Sequence, residues 1–455
     1  MLNSRAPDYN NTPVNSLRIS RVYSPSTSAH PAVSILTPFY NTGEIFHETA
    51  RSVINQSLQQ LEWIIINDGS TDPKSLEVLY AYRQFDRRIK VVDHLENRGL
   101  SAARNTGFRE ACAPYCILLD SDDLLEPTAA EKWTWYLESH PEYAFAGSYS
   151  VDFGSRNGLW QSGFQDGPAN LERNRVTATS ILRRSVHQRI GGFDESIRHG
   201  LEDWEFWIRA ASYGYWGNSI PEYLHWYRQW PTPEARWGNL NETRIKEFNQ
   251  SFRQRFPHLF QGGFPQPKPT SGIDYAPHKL DLPFSNLLCK EHPRLLMLVP
   301  WFVVGGAERF NLDLINQLQT RGWEVTLVAT ASSDNPWLHE FEAQTPDIFC
   351  LPNFLDYADY PRFLHYLICS RQFDAVLLTS SLEGYALLPY LHQAFPTLPI
   401  IDYQHFVVPN WMEGGFPRLS IQNQAYLDLS ITASQQVRGW MIDEGARPDR
   451  IETCT

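Results

Sequence analysis

Three aspartates form the strongest chemical signal in the sequence, because Asp120, Asp122 and Asp123 directly follow the apolar run 116–119. Like charges this close raise one another's pKa unless a cation lies between them. Carboxylate oxygens are the ligands that hard divalent ions such as Mg²⁺ and Mn²⁺ prefer. Asp120 and Asp122 would point to the same side if strand geometry continued past the run. The pattern favours a divalent-metal site, and a solvated loop of aspartates is the alternative.

Polar residues also follow three other apolar runs. Pro38 and Tyr40 come after the first run and could form a rigid edge against a nucleotide base. Asp68 follows the second run and could accept a hydrogen bond from a base N–H, although its segment could simply cap the next helix. Arg98 and Arg104 flank a predicted helix start, where they would add charge-assisted bonds to phosphate. Arginines on an ordinary helix surface are the alternative there.

The elements that must position these residues are short apolar runs that alternate with helical patterns. The predicted strands are 32–36, 63–66, 89–92 and 116–119, and the predicted helices are 44–56, 74–85 and 101–111. Strands separated by helices at this spacing indicate crossover connections and a mostly parallel sheet. Such a sheet binds its ligands at the carboxyl ends of the strands. We therefore expect the polar residues to meet at one edge.

Residues 31 to about 235 resemble the family 2 glycosyltransferases, whose GT-A fold is a mostly parallel mixed sheet flanked by helices. The resemblance is carried by five segments in the family's order: 33–41, 66–72, 97–107, 118–123 and 191–195.

This resemblance implies a nucleotide-sugar site, with a UDP-sugar as the expected donor. Asp68 would read the base, and Asp120 and Asp122 would be the D-x-D pair at the ribose and the metal, with Asp123 beside them. The implied cofactor is Mn²⁺ or Mg²⁺, which would stabilise the diphosphate leaving group as a Lewis acid.

Glu202 and Asp203 resemble the family's Glu-Asp pair at a helix start. In that family the aspartate is the general base, so the resemblance assigns this role to Asp203 with Glu202 as its neighbour; a helix-capping acid is the alternative. The family often ends this domain with Tyr-Arg-x-His, whereas this chain has Trp230 in the histidine's place. Six of the fifteen tryptophans lie between 204 and 237, where they could form a sugar platform or pack in a core.

The sequence divides into a flexible tail at 1–30, a GT-A domain at 31–260, a Pro/Gly-rich linker at 261–292 and a second α/β domain at 293–455. Predicted strands of the last region are 295–299, 324–329, 375–379 and 400–403, with a helix at 307–321. The region resembles the Rossmann-like N-terminal half of a family 4-type GT-B glycosyltransferase, on Gly305 and Gly306 at a helix start. The family's second half has no counterpart in the sequence, so we expect a truncated piece of a longer protein; a domain kept for acceptor binding or docking is the alternative. His405 could lie on an acceptor side or be structural.

Composition limits the function classes. The 455 residues carry 39 basic and 51 acidic side chains, a net charge of −12, which argues against nucleic-acid binding. No run approaches the roughly 20 apolar residues of a membrane span, and six scattered cysteines are typical of a reduced compartment. We therefore expect a cytoplasmic protein, with peripheral contact at the inner face of the membrane allowed.

Together the residues and the resemblance predict a metal-dependent glycosyltransferase. It would move a sugar from a nucleoside-diphosphate sugar to a hydroxyl of a glycan or lipid-linked glycan, in polysaccharide assembly. Inversion follows if Asp203 activates the acceptor for a single in-line displacement. The alternatives are a D-x-D phosphatase or phosphotransferase, and a non-catalytic glycan-binding module.

Overall fold

A computed structural model describes residues 30–198, 200–231, 242–268 and 281–454 of the chain. The described residues divide into two compact units, 30–268 and 281–454. The expected tail at 1–29, residues 269–280 of the expected linker, and His199 lie outside the described residues. No helix in the described part of the chain is both long and apolar enough to cross a membrane.

The first unit is built on one mixed sheet with helices between its strands. Its strands are β1 Val33–Phe39, β2 Leu61–Asn67, β3 Ile89–Asp93, β4 Tyr115–Leu118, β5 Leu124–Leu125, β6 Phe145–Gly154, β7 Gly158–Trp160, β8 Ile181–Arg183 and β9 Gly217–Gln229. Its α-helices are α1 Phe46–Ile54, α2 Pro73–Phe85, α3 Leu100–Glu110, α4 Ala129–Ser139, α5 Arg184–Ile190, α6 Glu202–Ser212 and α7 Glu242–Arg255. Short 3-10 segments lie at Gly43–Ile45, Phe164–Leu171 and Pro257–Gln261.

The strand order of this sheet is β3-β2-β1-β4-β8-β6-β9-β5, with β7 paired to β6. The four strands β3, β2, β1 and β4 run parallel. Antiparallel pairs then join β8 to β4 and to β6, and β5 to β9. The α/β architecture with a mixed sheet, as expected for the GT-A class, is confirmed.

The strands form where the sequence is continuously apolar, as parallel strands buried on both faces require. Every residue of β1 is buried. This strand extends beyond the predicted run because Trp63 donates its indole N–H to Thr37 Oγ1 at 2.9 Å, which satisfies the polar group inside the sheet. The predicted helix 44–56 forms as a 3-10 turn followed by α1, and α3 begins at Leu100, one residue before the predicted start.

The second unit is a wholly parallel sheet. Its strands are β10 Arg294–Val299, β11 Glu324–Ala329, β12 Ile348–Cys350, β13 Ala375–Thr379, β14 Ile400–Gln404, β15 Leu429–Thr432 and β16 Ile451–Thr453. Its α-helices are α8 Gly306–Thr320, α9 Leu338–Glu342, α10 Leu351–Phe354, α11 Tyr360–Arg371, α12 Leu382–Ala394, α13 Phe416–Gln422 and α14 Gln435–Asp443. The strand order is β12-β11-β10-β13-β14-β15-β16. The chain extends the sheet from β10 to one side through β11 and β12, and then to the other side from β13 to β16, as in a Rossmann-like sheet.

Candidate active site

The aspartate segment after β4 is a turn and not a continued strand. β4 ends at Leu118, and the backbone N–H of Asp123 donates to the carbonyl of Asp120 at 3.2 Å. The three carboxylates therefore face different surroundings. The Asp120 side chain is 24% exposed, whereas Asp122 and Asp123 are buried.

Asp123 ties the turn to β9. Its Oδ2 lies 3.2 Å from Nε2 of His225, and its Oδ1 accepts the backbone N–H of Arg228 at 2.9 Å. Burial raises the pKa of Asp123 to about 6, against the opposing effect of His225. Both oxygens of the Asp123 carboxylate thus contact β9, and its metal role stays a prediction.

Arg104 joins the aspartate turn to the start of α6. Its guanidinium is 1% exposed, donates to Glu202 Oε1 at 2.7 Å and donates to Asp120 Oδ1 at 3.2 Å. Burial alone would lower the pKa of Arg104, but Asp120, Glu202 and Asp203 together raise it. The sequence predicts a phosphate ligand at this position, and the structure shows a buried cation shared by carboxylates from two parts of the chain.

Asp203 lies in the first turn of α6 and is 7% exposed. Its Oδ2 accepts from the side-chain amide of Asn174 at 2.9 Å, and its Oδ1 accepts the backbone N–H of Trp204 at 2.8 Å. Burial first, and then the charge of Glu202, raise the pKa of Asp203 to about 7 against the opposing charge of Arg104. A carboxylate with such a pKa takes up a proton readily near neutral pH.

Leu201, directly before this pair, has a left-handed backbone with φ 71° and is 6% exposed. A non-glycine residue in this conformation costs about 1–2 kcal/mol. The strained residue lies at the N-terminal end of α6, directly before Glu202 and Asp203. The acids in the first turn also favour the helix, because its N-terminus carries partial positive charge.

Asp68 organises the loop that leads into α3. Its carboxylate accepts the backbone N–H groups of Arg98 at 2.9 Å and Gly99 at 2.8 Å, and it lies 2.7 Å from Nδ1 of His94. The side chain of Arg98 is 43% exposed and contacts Glu195 at 3.2 Å. Asp68 is thus buried and hydrogen-bonded to its own loop, while Arg98 lies at the surface.

Pro38 and Tyr40 lie at the end of β1 in different environments. Pro38 is buried in the strand opposite Ile66 of β2, whereas Tyr40 is 49% exposed just beyond it. The next residue, Asn41, has φ 49° and its side-chain oxygen accepts the backbone N–H groups of Thr71 and Asp72 at 2.9 and 3.0 Å. Hydrogen bonds therefore join the segments that follow β1 and β2, and the Tyr40 ring is exposed next to them.

The residues present fit a divalent ion bound by two carboxylates. Within the described residues, no group of three or more His, Cys, Asp or Glu side chains is arranged to hold a metal. Mg²⁺ sites commonly use only one or two carboxylates together with substrate phosphates and water. Asp120 and Asp122 can supply such oxygens.

Sequence reasoning did not predict several contacts with the proposed site residues, among them those of Asn174, His225 and Trp230. Trp230 donates its indole N–H to Asp122 Oδ2 at 2.8 Å. Only Trp230 carried a signal, as the departure from the family's histidine. Of the clustered tryptophans, Trp204, Trp207, Trp216 and Trp226 are buried in core packing, and Trp237 lies outside the described residues.

In the second unit, His405 follows β14 at the carboxyl edge. Its Nε2 lies 3.1 Å from Thr379 Oγ1, and its ring contacts Phe310 with centroids 5.2 Å apart. Burial lowers the pKa of His405 to about 4, so the imidazole is neutral at physiological pH. These contacts are those of a packed structural histidine.

Fold and site together define an α/β protein whose first unit carries a buried acidic site at the carboxyl edge of its sheet. Family models match two regions: Glycosyl transferase family 2 over residues 34–196, and Glycosyltransferase Family 4 over residues 304–454. The uncharacterized glycosyltransferase YwdF of Bacillus subtilis is 31% identical over 189 residues, which cover 39% of this chain and 68% of that protein. The chain belongs to glycosyl transferase family 2, followed by a family 4 region, as the sequence predicted.

Two further similarities each cover about half of this chain. An uncharacterized glycosyltransferase of Haemophilus influenzae is 30% identical over 213 residues, so the match takes in 44% of this chain and 65% of that relative, slightly under two thirds of its length. The crystal structure of S. aureus TarS 1-349 in complex with UDP-GlcNAc aligns with a TM-score of 0.43 and 18% identity, over 50% of this chain and 69% of that chain.

Proposed function

We propose that the first unit is a metal-assisted, inverting glycosyltransferase that moves a sugar from a nucleoside-diphosphate sugar to an acceptor hydroxyl. One observation carries the proposal: the buried guanidinium of Arg104 contacts both Asp120 and Glu202. The aspartate turn after β4 and the acidic pair of α6 are thereby held in one site. Membership of family 2 supports the same activity.

Asp203 is the proposed general base. The acceptor oxygen forms the new bond to the anomeric carbon while its proton passes to Asp203. The bond from that carbon to the diphosphate oxygen breaks, and its electron pair leaves on the diphosphate. A raised pKa and two hydrogen bonds that fix the carboxylate suit this role. Attack from the face opposite the leaving group inverts the anomeric carbon.

Asp120 and Asp122 are the proposed ligands of Mn²⁺ or Mg²⁺. When bound, such an ion supplies positive charge to the diphosphate leaving group. Arg104 forms ion pairs with Asp120 and Glu202, and such pairing offsets part of the cost of burying charged groups.

The donor and acceptor contacts are also proposals. The exposed Tyr40 ring, two residues after the buried Pro38, is suited to a nucleotide base, and the surface side chain of Arg98 to phosphate. Asp68 contributes by shaping the loop that holds Arg98. We propose a UDP-sugar donor and a glycan or lipid-linked glycan acceptor, used in the cytoplasm or at the inner face of the membrane.

The test is to incubate the protein with Mn²⁺ and a panel of nucleotide-sugars and to measure the release of nucleoside diphosphate. We expect release that depends on acceptor and is lost in Asp120→Ala. Release of inorganic phosphate instead would overturn the proposal in favour of a phosphatase. Glycan binding without turnover of any donor would favour a non-catalytic module.

A further inference from the structure

The site departs from its family pattern at the residue that contacts Asp122. The indole N–H of Trp230 donates to Asp122 Oδ2 at 2.8 Å. Asp122 is 0% exposed, whereas Trp230 is 40% exposed, so the ring lies between the carboxylate and the protein surface. An indole nitrogen is a donor only and has no lone pair to offer a metal. The Trp230 indole therefore occupies an oxygen of the Asp122 carboxylate without being able to join a coordination shell.

The backbone just before Trp230 is held firmly, while the ring itself is at the surface. Arg228 donates its backbone N–H to Asp123 and its Nε to the carbonyl of Asp122, at 2.9 and 2.8 Å, and its guanidinium lies 4.4 Å from the centroid of Phe153. Trp230 follows the last residue of β9, Gln229, and is outside the strand pairing. The indole can thus leave Asp122 by side-chain rotation while β9 stays in place.

We propose that the Trp230 indole and the divalent ion compete for Asp122, so that Trp230 is a positioning residue that covers the metal ligand until the ion displaces it. This inference rests on the proposed function, because it takes Asp122 as a metal ligand. A hydrogen bond to a charged group contributes about 1.5–3 kcal/mol, so its removal can strengthen metal binding by about tenfold or more.

The first test measures Mn²⁺ affinity without any nucleotide-sugar, by electron paramagnetic resonance of free Mn²⁺. We expect Trp230→Phe, which keeps a ring but removes the N–H, to bind Mn²⁺ about tenfold more tightly than the parent protein. Trp160→Phe is the matched control, because Trp160 is 38% exposed and donates its N–H to the carbonyl of Arg175 at 3.2 Å. Unchanged or weaker Mn²⁺ binding in Trp230→Phe would overturn the inference.

The second test follows tryptophan fluorescence during titration with Mg²⁺, which does not quench emission as a paramagnetic ion does. Displacement of the indole predicts an emission change in the parent protein and in Trp160→Phe that is absent in Trp230→Phe. The same change in all three proteins would overturn the inference.

Donor turnover measured in parallel separates the two proposals. If the parent protein and Trp230→Phe bind Mn²⁺ equally and both release nucleoside diphosphate, the proposed transferase is supported and competition between Trp230 and the ion is excluded. Absence of both metal binding and turnover in every variant would remove both.

Discussion

Four neighbouring strands follow the same order in the two sheets. The side chains beyond the carboxyl ends of these strands differ in chemistry. β3-β2-β1-β4 and β12-β11-β10-β13 are both parallel. In the first unit, a buried arginine and carboxylates gather beyond β4. In the second, β13 is followed by Ser381, which caps α12 and lies 2.8 Å from Thr330, near the neutral His405.

This difference shows that the shared topology provides a place for a site but not its chemistry. Ionised groups in the first unit are buried and paired, an arrangement typical of sites with perturbed pKa values. Beyond β13 of the second unit, the hydroxyl groups of Thr330 and Ser381 form a hydrogen bond with each other. We therefore expect sugar transfer to depend on the residues beyond the strands of the first unit. Substitutions at the corresponding positions of the second unit should leave it unchanged.

The largest expected effect comes from Asp203→Asn, which keeps the side-chain shape but removes the proton acceptor. Turnover should fall by about 10²–10⁴-fold, the usual contribution of a general base, with nucleotide-sugar affinity unchanged. Nucleoside diphosphate release gives the rate, and calorimetric titration gives the affinity. Glu383→Gln, whose carboxylate accepts from Thr330 at 3.2 Å in the second unit, is the control and should keep full turnover. An Asp203→Asn protein with parent-like turnover would exclude Asp203 as the base.

The next effect concerns stability. Arg104→Met leaves Asp120 and Glu202 without their buried cation, so the free energy of unfolding should fall by about 3–5 kcal/mol. Arg371 is an equally buried arginine of the second unit, 3.4 Å from Asp347. Urea denaturation should show loss of stability in Arg104→Met and in Arg371→Met.

Turnover of the folded fraction distinguishes the two variants. It should be lost in Arg104→Met and retained in Arg371→Met, since only Arg104 contacts the proposed site. Equal loss of turnover in both would contradict the functional separation of the two edges.

The third prediction is a pH dependence. Burial and Glu202 raise the pKa of Asp203 from 3.8 to about 7, and proton acceptance requires the ionised form. Turnover should therefore rise with pH and level off above the folded-state value, with a fall of about tenfold per pH unit below it.

Stability should change in the opposite direction. The folded state retains a proton that the unfolded chain releases near 3.8, so the contribution of Asp203 to the free energy of unfolding is full below 3.8 and is lost as pH rises through about 7. Denaturation of the parent protein and Asp203→Asn across this range measures the difference. A difference that stays constant with pH would argue against the raised pKa.

The smallest effect is expected from Asn174→Ala. The amide of Asn174 lowers the pKa of Asp203 by donating to its carboxylate, so its removal should move the acid limb of the pH–rate profile upward. The cost in stability should be about 1 kcal/mol, that of a single hydrogen bond. Asn249→Ala removes a comparable bond, 2.8 Å long, to the carbonyl of Glu172 and should leave the profile in place. A shift of the same size in both variants would exclude a specific role for Asn174.

Much of the fold could be predicted because the central strands are continuous apolar runs. The predicted run 375–379 coincides with β13, and 295–299 differs from β10 by one residue. The strands β6 and β9 were not predicted, because polar residues such as Ser148 and Glu222 interrupt their pattern and are buried through tertiary contacts. Residues distant in sequence provide those contacts.

The sequence predicted a set of site residues, but it did not predict the contacts between them. The resemblance grouped Asp120, Asp122 and Asp203 in one site, and their metal-binding and catalytic roles stay predictions. Arg104 contacts Glu202, 98 positions away in the sequence, and Asp122 contacts Trp230, 108 positions away. No local sequence pattern could reveal contacts between residues so far apart.

The span of these contacts also bears on the order in which the first unit folds. The bond between Arg104 and Glu202 closes a loop of 98 residues, and the bond between Asp122 and Trp230 closes one of 108. Contacts of such high sequence separation form slowly, since the entropy of loop closure must be lost before they stabilise anything. During synthesis, Arg104 of α3 acquires both of its partners only after residue 202 has emerged. The pairing that joins the aspartate turn to α6 therefore forms late in the synthesis of the first unit.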